Sequence, residues 1–273
     1  GRCALRQTVD YDLAVPFWRW IFAWPARAHL GRTGAVARAP WWSSPDPLDS
    51  QASISLACLA ALSVVAGYLG VLLSQTITYA VDEFGASTSA QGFALASVRV
   101  DILIALPLVA LADRRGRRTV LLLAAAGACV LTMVTALTPS LVLMMTSQVP
   151  ARGLATTAAI AITVVAAEEM PAGSRAWAIS LLTMAAALGA GICVILLFIA
   201  GLDERGWRIL FLLGGLGLPL VRTVAARLPE SRRYRAPHAD ATMAGHGARF
   251  WLLAASAFLL ALFTTPASQF QND

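Results

Sequence analysis

The chain has 273 residues, of which 58% are hydrophobic and only 13% are charged. An ordinary soluble domain is about 45–50% apolar and about 25% charged, so this composition lacks the usual water-facing surface. Disorder is excluded as well, because disordered segments are poor in apolar residues and rich in charge. The formal net charge of +6 would suggest nucleic-acid binding in a soluble protein, so the placement of the cationic residues has to decide that question.

Residues 1–50 are predicted to form a cytoplasmic, tryptophan-rich tail. Five of the eight tryptophans lie here, three of them in the segment FWRWIFAWP at residues 17–25. Arg19 interrupts the apolar run, which is shorter than the roughly 20 apolar residues needed to cross a bilayer. The segment also lacks the clean apolar core and cleavage site of a signal peptide. An interfacial amphipathic segment and an irregular tail both fit these residues.

Seven apolar stretches follow, each close to the length that a membrane-spanning helix requires. Apolar residues surround each stretch on all sides, which indicates burial in lipid or in a bundle and leaves no polar face for a soluble helical core. The stretches cover residues 54–80, 92–112, 119–138, 141–167, 176–200, 207–226 and 250–266. We therefore expect an all-α membrane protein. Residues 51–226 would form a six-helix bundle, residues 227–249 a cytoplasmic linker, and residues 250–273 would carry a seventh helix.

The cationic residues are all arginine, and their placement predicts the topology. With a cytoplasmic N-terminus, most of the 21 arginines fall in the tail, the linker and two loops on the same side, as the positive-inside rule requires. Only Arg205 and Arg208 fall on the opposite side. Topology therefore explains the basic charge, and no nucleic-acid partner is expected. We predict a multi-pass protein of the inner cell membrane, with the lipid bilayer as its surroundings.

Cofactor and metal chemistry find no support in the sequence. Cys58, Cys129 and Cys193 lie singly in three different predicted helices, and Cys3 lies in the tail. Without a CxxC pair or a neighbouring histidine, neither a metal site nor a disulfide framework is predicted. The sequence also has no GxxxxGK[ST] phosphate-binding loop. We expect no cofactor.

Four short motifs stand in register with the predicted helices. DRRGRR at residues 113–118 follows the second helix, and EEMPAGSR at residues 168–175 follows the fourth. GWR at residues 206–208 begins the sixth helix, and PESRRY at residues 229–234 follows it. Together these motifs resemble signatures of the major facilitator superfamily, in its sugar-porter and metabolite-transporter branch. One departure is Val109, where the family pattern opens with glycine, a change expected to loosen helix packing at that end.

The resemblance implies the N-terminal half of a transporter built from twelve helices in two halves. The chain would then be truncated after its seventh helix, and its partner would be the missing C-terminal half-bundle. A half-size transporter that dimerises is the alternative, although a seventh helix without an eighth argues against it. As one half of a transporter, the chain alone should not transport.

The resemblance also implies a cytoplasmic charge network that helps to hold one conformation of the two half-bundles. Asp113 lies at a helix C-terminus, where the macrodipole disfavours negative charge, so it needs a cationic partner. An anchor that follows the positive-inside rule, without a conformational role, is the alternative. The candidate residues are Asp113, Arg114, Gly116, Arg117, Arg118, Glu168, Arg175, Glu230 and Arg232.

Ionisable groups inside the predicted spans mark a substrate or proton pathway. Arg99 and Asp101 lie in the second helix and Arg152 in the fourth, where a charge is costly and usually faces a cavity or a partner. Asp101 is the only acid deep in a predicted span, so it is the candidate for proton coupling. Snorkelling or interfacial anchoring is the alternative for the two arginines. Gln75 and Thr78 belong to a polar group in the first helix that either lines the path or bonds between helices.

These features predict secondary active transport of a small organic solute by alternating access, coupled to a solute or proton gradient. An enzyme is not expected, because all three histidines fall outside the spans and Asp101 has no second membrane carboxylate beside it. A non-transporting polytopic receptor or scaffold is the remaining alternative. Gly189 and Gly191 in the fifth helix are expected to permit close packing.

Overall fold

The computed structural model describes residues 16–30, 43–97 and 101–230, together with residues 252, 255 and 256. The chain divides into two units, Gly1–Arg235 and Ala236–Asp273. In the second unit the three described residues are helical. The predicted seventh helix at residues 250–266 therefore lies almost wholly outside the described residues, and the predicted linker is described only as far as Glu230.

The described part of the first unit is built from α-helices and contains no β-strand, which confirms the predicted all-α fold. The helices are α1 (Arg19–Leu30), α2 (Ser50–Phe84), α3 (Thr88–Ser97), α4 (Asp101–Arg115), α5 (Arg117–Thr135), α6 (Leu141–Glu169), α7 (Arg175–Leu196), α8 (Gly206–Leu213) and α9 (Gly217–Arg227). Short 3-10 segments at Ala172–Ser174 and Leu197–Ile199 flank α7, and another at Gly214–Leu216 joins α8 to α9.

Five continuous helical segments are long and apolar enough to cross a membrane. They are Ser50–Phe84, Arg117–Thr135, Leu141–Glu169, Ala172–Ile199 and Gly206–Arg227. The second predicted span, residues 92–112, is described only in part. It is described as α3 and α4 on either side of residues 98–100, and the apolar segment Asp101–Ala112 is shorter than the other five. Asp101 is the first residue described after residues 98–100, which lie outside the described part of the chain.

The first span runs further than its apolar pattern predicts. α2 continues to Phe84, where the sequence suggested an end at residue 80. Gly85 then ends the helix in the left-handed conformation with φ of 60°, its N–H donating to Asp82 O and the N–H of Ala86 donating to Val81 O. This is the usual glycine-terminated helix end. It places Glu83 on the last helical turn, whereas the sequence placed that residue in a loop.

The backbones of α2 and α7 approach each other closely at two glycines. A Cβ atom added to Gly189 would lie 2.9 Å from the backbone nitrogen of Tyr68, and one added to Gly67 would lie 2.8 Å from the Cα atom of Ala186. Small residues permit such an approach in membrane bundles. A Cβ atom at Gly191 meets nothing within 4 Å. The close packing expected at both α7 glycines is therefore found at Gly189, and the expectation was wrong for Gly191.

Two groups of buried apolar side chains fill the interior around α2. One includes Leu59, Leu121 and Ile162, and the other includes Leu72, Trp207 and Phe211. Many large apolar side chains point outward instead, as they do along α7. The outward-facing apolar surface is what a helix bundle offers to lipid.

The glycine contact predicts opposite effects for two alanine substitutions on α7. Gly189→Ala should destabilise the protein by about 1–3 kcal/mol, because the methyl group meets backbone atoms that cannot rotate away. Gly191→Ala should leave stability unchanged or raise it by up to about 1 kcal/mol, because alanine is the better helix former and the site is open. Thermal unfolding in detergent can be followed with a thiol-reactive dye that reports exposure of the buried Cys58, Cys129 and Cys193. Equal melting temperatures for the two variants would contradict the contact.

Candidate functional site

The bundle of the first unit has two ends with different chemistry. We call one end the charged face; it is formed by the starts of α2, α5 and α7 and the ends of α4, α6 and α9. We call the other end the opposite face; it is formed by the ends of α2 and α5 and the starts of α6 and α8. Most of the predicted network residues lie at the charged face.

Ion pairing at the charged face joins α5 to α6 and to the segment after α9. Arg117 at the start of α5 pairs with Glu168 near the end of α6, and their side chains are only 22% and 7% exposed. The backbone N–H of Arg118 donates to Glu230 Oε1 at 3.2 Å, and its guanidinium donates to the carbonyl of Ala225. The Glu230 carboxylate therefore lies at the N-terminus of α5, where the helix dipole favours negative charge.

Gly116 is the single residue between α4 and α5, and glycine is needed there for two reasons. Its φ of 94° lies in a region that residues with a side chain rarely adopt. A Cβ atom at this position would also lie 3.3 Å from Glu230 Oε2. Glu230, from the start of the PESRRY motif, thus lies directly over the turn of the DRRGRR motif.

A second polar cluster at this face was not predicted from the sequence. The N–H of Asp46 donates to Ser174 Oγ at 2.8 Å, and the Ser174 hydroxyl donates to the carbonyl of Asp46 at 3.0 Å. The N–H of Gly173 donates to Asp46 Oδ2 at 2.8 Å. These bonds fasten the segment before α2 to the turn before α7. Ser174 belongs to the EEMPAGSR motif, of which only the charged residues were predicted to take part in a network.

The structure thus brings together five of the nine predicted network residues. These are Gly116, Arg117, Arg118, Glu168 and Glu230. Arg114 and Arg175 are exposed, and Arg175 Nε donates to the carbonyl of Met170 at 3.3 Å. The side chain of Asp113 and the whole of Arg232 lie outside the described residues.

A line of polar side chains on α6 carries the predicted pathway residue Arg152. Gln148, Arg152 and Thr156 follow at four-residue spacing, so they share one face of the helix. Gln148 Nε2 donates to Thr135 Oγ1 of α5 at 2.8 Å, and Arg152 donates to the carbonyl of Gly70 in α2. Thr156 Oγ1 donates to Asp101 Oδ2 of α4 at 3.0 Å. One face of α6 therefore makes a polar contact to each of three other helices.

The remaining predicted pathway residues lie away from this line. Gln75 is half-buried on α2, and Thr78 is exposed near the opposite face, where its hydroxyl accepts from Gln91 Nε2 at 3.3 Å. Arg99 lies outside the described residues. Thr156 and Gln148 were not predicted, although their spacing from Arg152 was a signal that could have identified them.

The opposite face is held by a cluster centred on Glu83 at the end of α2. Arg208 at the start of α8 binds its carboxylate through two hydrogen bonds, Nε to Oε2 at 3.1 Å and Nη2 to Oε1 at 3.0 Å. Trp207 Nε1 also donates to Glu83 Oε2, at 2.7 Å. Arg205 Nε lies 3.4 Å from Oε1, but its side chain is 77% exposed. The sequence placed these arginines on one side of the membrane without identifying the acid that joins them.

Aromatic rings surround the cationic part of the Glu83 cluster. The Arg208 guanidinium lies 4.8 Å from the ring centre of Trp207 and 5.7 Å from that of Phe84. Trp207 is fully buried and meets the ring of Phe211 edge-on at 5.4 Å. Cation–π contacts strengthen when water is excluded. The Gly206-Trp207-Arg208 motif therefore forms a stacked ion pair between α2 and α8.

A cavity of about 230 Å³ separates α4, α5 and α6 toward the charged face. Its lining is mostly aliphatic and comprises Val109, Ala112, Arg117, Val120, Thr157, Ala161 and Val164. Val109, which stands where the family pattern has glycine, is one of the lining residues. Within residues 16–30, 43–97 and 101–230, no three histidine, cysteine or acidic side chains come together as metal ligands do.

We expect Glu83→Gln to destabilise the bundle by about 1.5–3 kcal/mol, since Arg208 and Trp207 then lose their charged acceptor. Arg205→Ala removes a pair to the same carboxylate, but one that is exposed to water, so it should have little measurable effect. Thermal unfolding followed by cysteine exposure measures both variants. Equal destabilisation by both substitutions would mean that the stacked pair contributes no more than an exposed one.

The Arg117–Glu168 pair predicts a non-additive pattern. Arg117→Gln and Glu168→Gln should each lower stability by about 3–5 kcal/mol, because each leaves a largely buried charge without its partner. The double variant should be more stable than either single variant, because no charge is then left uncompensated. A double-mutant cycle on melting temperature tests this pattern. Additive losses would show that the two side chains do not interact.

Known structures provide the comparison for this arrangement, since no protein-family model and no curated protein matches the chain. The proton:xylose symporter XylE bound to 6-bromo-6-deoxy-D-glucose matches with a TM-score of 0.61 at 20% identity, covering 68% of this chain and 46% of that one. A bacterial homologue of the human lysosomal transporter Spinster, inward-facing and unoccupied, matches with a TM-score of 0.57 at 18% identity, covering 72% and 47%. The chain thus spans just under half the length of these neighbours.

The comparisons confirm the predicted resemblance at the level of fold. Both neighbours are transporters, and the first is a symporter of the major facilitator superfamily. Identities of 17–21% in four of the matched structures support a comparison of backbone architecture and not of individual site residues. Over about two thirds of its length, the chain has the fold of the major facilitator superfamily transporters.

Proposed function

We propose that the chain supplies one half of the solute path of a secondary transporter that works by alternating access. The fold supports this proposal, because in such transporters the solute binds near the midplane between two repeats that rock against each other. The second repeat would be another six-helix bundle, packed against the face that α2 and α6 present. The solute would be a small organic molecule.

The polar line on α6 is the observation that carries this proposal. Arg152 and Thr156 lie on either side of Ala155, the middle residue of α6. Gly70 is likewise close to the middle of α2. Ionisable groups at mid-depth in an apolar bundle are costly, so their presence there is typical of a pathway. The two polar contacts at this depth, Arg152 to Gly70 and Thr156 to Asp101, can be exchanged for contacts to a solute with little net loss of hydrogen bonding.

Asp101 is our candidate for proton coupling. Its Oδ2 accepts a hydrogen bond from Thr156 at 3.0 Å, which links α4 to α6. Uptake of a proton would remove the charge and weaken that bond, which loosens α4 from α6. A proton gradient would thereby act on the same helix that carries Arg152.

The charge network at the charged face would then help to hold one conformation. Arg117–Glu168 and Glu230 tie α5, α6 and the end of α9 together, so they would resist separation of these helices at that end. The positive-inside distribution of arginine supports a cytoplasmic position for this face, and hence an inner-membrane protein with a cytoplasmic N-terminus.

Ligand-induced stabilisation tests solute binding without assuming which solute is correct. Pentoses and hexoses should be screened first, because one structural neighbour is a proton:xylose symporter. A ligand that binds only the folded state raises the melting temperature with its concentration. Thr156→Val should abolish the shift, whereas Thr223→Val makes the same substitution on α9, where the hydroxyl bonds to Pro219 O of its own helix, and should retain it. For a solute that stabilises the unsubstituted protein, loss of the shift in both variants, or its retention in both, would contradict the proposed site.

Transport assays can be run in proteoliposomes that contain the protein carrying this chain. They distinguish proton coupling from solute binding. Asp101→Asn should abolish solute accumulation driven by an inward proton gradient, while solute exchange without a gradient persists, because the amide still accepts from Thr156. Thr223→Val serves as the control and should accumulate normally. Gradient-driven accumulation by Asp101→Asn would exclude Asp101 as the coupling residue. Absence of any flux would favour the receptor or scaffold alternative.

A further inference from the structure

The segment before α1 is anchored on the bundle near the charged face. Trp18 Nε1 donates to the carbonyl of Ala57 in α2 at 3.2 Å. Phe17 and Trp18 both pack against the buried side chains around Leu59, and the guanidinium of Arg227 lies 5.5 Å from the Phe17 ring centre. The start of α1 is therefore fixed relative to α2.

The anchor lies at the depth where a bilayer changes from hydrocarbon to headgroups. α2 has 35 residues, so it is about 50 Å long, whereas the hydrocarbon core is about 30 Å thick. If the excess is shared, about 10 Å of α2 protrudes at each end. Ala57 is seven residues from Ser50 at the start of α2, which is also about 10 Å along the axis.

One face of α1 is large, aromatic and uncovered. Trp20 and Trp24, one turn apart, are 77% and 79% exposed, and Ile21 beside them is 42% exposed. Arg27 continues the same face one turn further, while Phe22 and Ala26 on the other side are half-buried. Exposed tryptophans on a helix at the edge of a membrane bundle are typical of the interface, where the ring is apolar and its N–H stays hydrated.

The charge of the surrounding segment favours an anionic surface. Residues 13–45 contain Arg19, Arg27, Arg32 and Arg38 and no acidic residue. A protein partner selected by complementary charge would have to be acidic and also bind two adjacent tryptophans. A bilayer with anionic headgroups offers both negative charge and an interface that accommodates tryptophan rings. The contact between Trp18 and Ala57 also fixes the start of α1 at the depth estimated above for those headgroups.

We propose that α1 is a membrane-surface helix whose Trp20–Trp24 face inserts among anionic lipid headgroups on the side of the charged face. Partition of the tryptophans and attraction of the arginines to anionic lipid act together in such helices. This placement of α1 depends on the bundle spanning a bilayer, and it does not depend on which solute is carried or on whether one is.

Spin-label accessibility in nanodiscs tests the position of α1 in the full chain. In a Cys3→Ser background the three buried cysteines are protected in the folded protein, and Ala28→Cys places a label on the exposed face. The label should be more accessible to oxygen than to a water-soluble nickel chelate. Ala26→Cys reports the half-buried face, and Ser87→Cys, in the exposed turn after α2, supplies the aqueous reference.

Two comparisons show whether the label at residue 28 is inserted into lipid, exposed to water or buried against protein. Trp20→Ser with Trp24→Ser should shift the label at residue 28 to the accessibility of the aqueous reference, while the cysteine-exposure melt of the bundle stays unchanged. The label should lie deeper in a bilayer that contains anionic phosphatidylglycerol than in a bilayer of purely zwitterionic lipid. A label that is water-accessible in the unsubstituted helix, or equally deep in both lipids, would overturn the proposal. So would a label shielded from both oxygen and nickel, because that pattern indicates cover by protein.

Discussion

The backbone contact between α2 and α7 sets the spacing on which the rest of the bundle depends. Gly67 and Gly189 have no Cβ atom, so the two helices meet at the distance of their main chains. In lipid there is little hydrophobic force between helices, and close packing has to supply the association energy. Gly70, less than one turn beyond Gly67, offers its carbonyl to Arg152 of α6. The position of α2 against α7 thus determines where the polar line of α6 finds its partner.

The two ends of the bundle are closed by different kinds of contact. At the charged face, carboxylates meet both an arginine side chain and the N-terminus of α5, and they come from distant parts of the chain. At the opposite face, the carboxylate of Glu83 meets the exposed Arg205 and the half-buried Arg208, whose guanidinium lies against the rings of Trp207 and Phe84. The apolar core lies between these ends, and the polar contacts of α6 interrupt it near its middle. This layering is consistent with a path that crosses the bundle beside α6.

Sequence periodicity and composition predicted the large-scale features well. Uninterrupted apolar runs identified five of the spans, because a helix that is apolar on all sides has few other places to be stable. The motifs also indicated that Arg117, Glu168 and Glu230 would approach one another, since loops on one side of a membrane share a face. The predicted end of α2 was too early because Glu83 is charged, and a charge after an apolar run is typical of a loop. Its partner Arg208 lies far along the sequence and makes the helical turn favourable.

Contacts between helices were the part that sequence could not supply. Nothing in the sequence marks Thr156, and its contact depends on the position of Asp101 on α4. In the same way, Asp46 links two segments only because the chain before α2 passes close to Ser174. Gly191 shares its type and helix with Gly189, yet it faces open space. Residue type predicts what a position can do, whereas the rotation of each helix about its axis decides whether it does so.

The turn at Gly116 has a mechanical consequence. Because one residue joins Arg115 at the end of α4 to Arg117 at the start of α5, any change in the angle between these helices is confined mainly to two backbone dihedrals. Glycine leaves those dihedrals free to rotate, but the Glu230 carboxylate lies against them. Gly116 therefore acts as the hinge between α4 and α5. The Glu230 side chain, in the segment after α9, limits how far the backbone at this hinge can rotate.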